Sequence, residues 1–174
     1  MARNNTFLLE GTVGTPASGV TAEEYGVRGA RTTVLTINTT LPAIAGGANL
    51  AVGKLLYTLP AGAARITSTK MSVSIKQTEA HITADTPDVG IGTTIASGAV
   101  ALLSGTAAFE NILTGQTAAD CDGTATTKSV DTSLVVESAD NHTIYLNVAD
   151  GWAASGDAGA LLRGTVTINW QHLG

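Results

Sequence analysis

Charge is scarce in this sequence: 13% of its 174 residues are Asp, Glu, Lys or Arg, about half the usual share of ~25%. Low charge beside abundant Thr, Gly and Ala describes a surface suited to touching protein. Aromatic residues are rarer still, at 4% against 44% hydrophobic overall. Each buried Phe, Tyr or Trp removes roughly 150–250 Å² from water, so a core of Val, Ile, Leu and Ala gains less burial per residue. Either the monomer is modestly stable and assembly supplies the missing buried area, or the chain is a compact sandwich packed with small residues. The length fits one domain.

Cys121 is the sole cysteine, which excludes a disulfide within the chain. Asp120 and Asp122 flank it, and their charges oppose a thiolate, against a nucleophilic role. Residues Met1 to Leu9 lack the continuous apolar stretch of a secretory signal, and no run is long enough to cross a bilayer. The expectation is synthesis in a cytoplasm without export, with no membrane partner.

Catalytic motifs are missing too: there is no G-x-S-x-G elbow, no H-E-x-x-H and no Walker A loop. Gly90, Ile91 and Gly92 open like a dinucleotide fingerprint, but Ile95 stands where the third glycine belongs. His81, His142 and His172 are far apart without metal-ligand spacing. Asp120 to Gly123 resembles a calcium loop, yet its glycine comes fourth instead of sixth and no Glu closes it. A weak surface Ca²⁺ site on the acidic loops stays open. The sequons at Asn4, Asn38 and Asn141 fit chance in a Thr-rich chain. Trp152, near Tyr145, is either a packing residue or a platform for a sugar ring. No cofactor or resident metal is expected.

The net charge of −5 repels phosphate and argues against nucleic acid as partner. It is unevenly spread: seven basic residues face three acidic ones up to Lys76, and two face eleven beyond it. Copies then dock basic side to acidic side, or the two segments pair within one fold.

What the chain does have is alternation. Met71, Val73 and Ile75 interleave with Lys70, Ser72, Ser74 and Lys76, and Val166, Ile168 and Trp170 with Thr165, Thr167, Asn169 and Gln171. A period of two puts each apolar set on one face of a half-buried strand. Further strands are expected from Thr32 to Leu41, around Leu55 to Leu59, after Asp88, over Leu134 to Glu137 and over Ile144 to Val148, separated by turns such as Pro60-Ala61-Gly62. Thr106 caps one predicted short helix, with Phe109, Ile112 and Leu113 on one stripe and Gly115 as its stop. Residues 1–31 carry glycines at short intervals and no period, an irregular N-terminal arm. The arm lies on a neighbouring subunit or adds a strand to its own sheet. The predicted architecture is all-β: an antiparallel β-sandwich or jelly roll over residues 32–174, with that arm and one short helix.

The stretches Thr86 to Thr93 (TPDVGIGT), Ala108 to Gly115 (AFENILTG) and Leu162 to Trp170 (LRGTVTINW) resemble small β-rich virion proteins of tailed bacteriophages, particularly the capsid decoration, or cement, proteins. The likeness covers roughly the last hundred residues. It implies a non-enzymatic β-sandwich that forms a homo-oligomer, a trimer by preference, on the capsid exterior and bridges major capsid subunits, often through an N-terminal arm. Arg3, Phe7, Leu8 and Leu9 are the expected arm contacts. A carbohydrate-binding module or head fibre, with Trp152 or Tyr145 on the floor of a cleft, is the alternative. A hydrolase assembled from distant Ser, His and Asp residues is a third.

Overall fold

The computed structural model describes residues 13–27, 29–46, 50–100, 102–104, 108–137, 142–149, 152 and 156–173. Ten strands follow one another: β1 (Thr15–Pro16), β2 (Val20–Val27), β3 (Ala30–Thr40), β4 (Ala51–Thr58), β5 (Ala64–Gln77), β6 (Asp88–Gly92), β7 (Leu113–Thr117), β8 (Asp122–Val136), β9 (Thr143–Ala149) and β10 (Ala160–His172). They form two five-stranded sheets in the orders β1-β4-β9-β6-β7 and β2-β3-β10-β5-β8. Every pairing is antiparallel. The first is called sheet A below and the second sheet B. The protein is an all-β antiparallel sandwich, as the alternation predicts.

The two alternating stretches become β5 and β10, neighbours at the centre of sheet B, with Met71 opposite Val166 and Val73 opposite Gly164. Their apolar faces, with Leu35 and Ile37 of β3, meet Leu56, Val89, Ile91, Ile144, Leu146 and Val148 of sheet A in one buried core. Burying such side chains contributes roughly 1.5–3 kcal/mol each before entropy is counted. Gly164 sits mid-strand with φ near 137°, and a Cβ there would lie 2.1 Å from the Ser72 carbonyl oxygen. Only glycine lets the two central strands approach so closely at this point.

Two sequence expectations change. Ala108–Ile112 is a run of bends leading into β7, and no helix occurs among the described residues. Ile112 and Leu113 enter the main core, while Phe109 packs in a separate cluster with Ala51, Ala96, Leu103 and Ala149. The apolar set that would line one helical stripe is thus divided between two cores. Residues 15–16 and 20–27, within the stretch read as an arm, pair with β4 and β3 respectively. Residues 1–12 of that stretch lie outside the described residues.

Candidate functional site

The two sheets differ on their outward faces, and the difference begins with small residues. On the outer side of sheet A, Asn147 of β9 is flanked in register by Gly53 of β4 and Gly90 of β6. With no side chains beside it, the β6–β7 connection lies directly on the sheet. A Cβ on Gly53 would meet Ile95 at 2.5 Å, and one on Gly92 would meet the Ala108 carbonyl oxygen at 2.1 Å. Asn147 is fully buried and pins this cover. Its Nδ2 donates to the carbonyls of Thr94 (2.9 Å) and Phe109 (2.8 Å), and its Oδ1 accepts from the Ala96 N–H (2.9 Å). Satisfying both amide ends is what makes a buried Asn tolerable.

Sheet B is open. One row across its outer face reads Thr21, Thr36, Thr165, Ser72, Thr127. The next two rows read Glu23, Val34, Thr167, Lys70, Ser129 and Tyr25, Thr32, Asn169, Ser68, Asp131. These side chains are tied to each other: Thr32 donates to Asn169 Oδ1 (2.6 Å), Asn169 Nδ2 to Ser68 (2.8 Å), and Thr127 to Ser72 (3.1 Å). The result is a face rich in short hydroxyl and amide groups, partly tied to one another and interspersed with Glu23, Tyr25, Val34, Lys70 and Asp131, about five strands, or roughly 20 Å, across. Arg65, Lys70, Lys76 and Arg163 stand exposed within it on β5 and β10.

The groups that drew notice for chemistry are held in structural contacts. Cys121 is fully buried, and burial, together with the charges of Asp85, Asp120, Asp122 and Asp157, pushes its thiol up to about 12. His142 is buried with its ring nitrogens against the carbonyl oxygens of Pro60 (3.1 Å) and Glu137 (2.7 Å). Trp152, 4% exposed, belongs to the main core and is not the floor of an open cleft. His81 lies on the surface 3.8 Å from Glu79. Among the described residues no three His, Cys, Asp or Glu side chains converge to hold a metal ion. Arg3, Phe7, Leu8 and Leu9 lie outside the described residues.

Two buried carboxylates went unread in the sequence. Glu24 of β2 turns inward to Arg31 of β3 at 3.4 Å, both side chains 5% exposed. It also accepts from the Gly14 N–H (3.2 Å) and from the Tyr57 hydroxyl. Burial, then the hydrogen bond to Glu24, raises the Tyr57 pKa. Arg31 lies 5.5 Å over the Trp170 ring, whose Nε1 donates to Thr33 (2.9 Å).

Asp157 joins the start of β10 to the end of β5. It accepts from the Thr78 hydroxyl (2.6 Å) and from the N–H groups of Glu79 (3.0 Å) and Gly159 (3.1 Å). Burial works to raise its pKa, but these donors outweigh it and hold it below the usual Asp value. A carboxylate depressed on folding adds stability in full above its unfolded pKa of about 3.9 and loses it as pH falls through the lower folded value. The melting temperature is therefore expected to fall between about pH 5 and pH 2. Asp157→Asn should melt lower than the parent at pH 7 and show a shallower slope across that acid window; parallel curves would contradict the assignment.

No family model matches the chain, and no curated protein matches it. Among matching solved structures is an arabinose-bound MgGH51 α-L-arabinofuranosidase, aligned over 90% of this chain with 10% identity and a TM-score of 0.37. The chain spans 23% of that protein's length. A likeness this loose carries no argument about fold or activity.

Proposed function

We propose that the protein is a non-enzymatic structural component of a tailed-phage virion, a decoration protein that stabilises the head by bridging major capsid subunits as a homo-oligomer on the capsid exterior. The observation that carries this reading is the contrast between the outward faces: sheet A is covered around Asn147 by its own chain, while sheet B presents a broad face of mostly short polar side chains. Such a face is shaped for contact over area, since short side chains lose little entropy when covered. The three stretches that resemble decoration proteins fall on β6 and its approach, on the bends before β7, and on β10. In this reading Arg3, Phe7, Leu8 and Leu9 reach a neighbouring subunit, and many modest contacts made together give avidity.

The test is thermal disruption of purified capsid shells with and without the protein. Shells carrying it are expected to open at a higher temperature, and equal disruption temperatures reject the reading.

A further inference from the structure

The charge imbalance along the sequence becomes a spatial one. At the end of the sandwich where β5 and β7 finish and β6, β8 and β10 begin stand Glu79, Asp85, Asp88, Asp120, Asp122 and Asp157, with Lys76 as the cation beside them. The Gln77 N–H donates to the Cys121 carbonyl (2.9 Å) and the Ala118 N–H to the Pro87 carbonyl (2.7 Å), which brings these strand ends and their carboxylates together. Glu79, Asp120 and Asp122 are exposed.

The opposite sign lies along the two central strands of the open face of sheet B, between Glu23 on β2 and Asp131 on β8. Arg65, Lys70 and Arg163 project outward from the two adjacent central strands, and Lys76 stands where this face meets the acidic end, opposite Asp122. Arg163 stands opposite Ser74, four residues along β5 from Lys70, a separation of about 13 Å along the strand. Among the described residues, none of the four cations has a carboxylate within 4.0 Å. Serines and threonines fill the places between them, so incoming carboxylates meet no bulky side chain.

We propose that the acidic end of one copy docks on the basic outer face of sheet B of a second copy, head to tail. Pairing two such faces directly would set cation against cation, whereas the carboxylate end supplies the complementary sign. A head-to-tail contact uses two different surfaces, so it closes into a ring or continues as a filament. Closure after three copies gives the trimer that the family resemblance implies. The inference rests on the reading of the open face as a contact surface, and its test needs no capsid, so it fails or stands separately from the shell experiment.

The experiment is sedimentation velocity of the full chain at tens of micromolar in about 50 mM and about 500 mM salt, where screening lengths differ roughly threefold. The wild type is expected to associate in low salt and at least about tenfold more weakly in high salt. Lys70→Gln with Arg163→Gln neutralises the basic face, and Glu79→Gln with Asp120→Asn neutralises the acidic end while keeping the side-chain carbonyl that accepts from the Ala158 N–H. Each variant alone should sediment as a monomer with an unchanged melting curve. Mixed in equal amounts they should form a dimer and nothing larger, because one copy keeps an intact acidic end and the other an intact basic face. A monomeric wild type in low salt, variants that associate like the wild type, or a mixture that stays monomeric each overturns the proposal, as does binding of added polyanion by a chain that never self-associates.

Discussion

Glu24→Ala is expected to destabilise the protein by about 3–5 kcal/mol, because it removes a carboxylate that pairs with the buried Arg31 guanidinium. The loss reaches further than the ion pair. Glu24 also accepts from the Gly14 N–H and from Tyr57, so the variant also strips a carboxylate from β4 and from the segment leading into β1, both on the side of sheet A. The interaction therefore fastens β2 to β4 and to the approach to β1 as well as to β3. Urea unfolding with an unchanged m-value measures the cost. The companion variant Glu24→Leu with Arg31→Met should recover part of it, since apolar replacement of a buried ion pair is often neutral or better. A loss below about 1 kcal/mol for Glu24→Ala would place this pair with exposed ones.

The second large effect is expected at Asn147. Asn147→Ala deletes three hydrogen bonds and leaves the Thr94 and Phe109 carbonyls and the Ala96 N–H facing an apolar methyl. At roughly 1 kcal/mol net for each bond, with more for buried groups left unsatisfied, the cost is about 3 kcal/mol or above. Its location matters more than its size: the β6–β7 connection should loosen while the sandwich beneath persists, because Ile112 and Leu113 remain anchored in the main core. Hydrogen exchange is the direct readout. The amide of Ala96 should lose protection in the variant while those of central β5 and β10 keep theirs. Unchanged exchange at Ala96 would show that packing of Phe109 and Leu103, and not the amide, holds the cover.

The parts of the fold legible in the sequence are those where burial is local and one-sided. Alternation at Lys70–Lys76 and Thr165–Gln171 marks β5 and β10 because each has a core face and a wet face. The same rule hides β2, whose inward positions include Glu24: a carboxylate in an apolar slot breaks the pattern, and its partner Arg31 becomes visible only once β2 and β3 fold back on each other. Asn147 was hidden for a related reason. Placed between Leu146 and Val148, it reads as an ordinary polar position on a half-buried strand, and nothing local shows that another segment covers that side. Its signal lies far away, in the glycines at 53, 90 and 92 that leave room for the cover. Phe109, Ile112 and Leu113 carry helical spacing, yet their chain crosses the rim of sheet A and delivers them to two different cores. Periodicity reports a shared direction only when a single surface receives the side chains. The outer face of sheet B is half legible: its threonines and serines read as the wet side of strands, but their alignment into rows depends on register, which no single strand contains.

A body sealed on its back by its own chain and bare on its front has handedness in how it is presented. Units of this kind cannot be turned over within a layer without offering the lidded side where the bare one belongs. In the coat proposed above, inside and outside follow from the buried Gly53–Asn147–Gly90 seam.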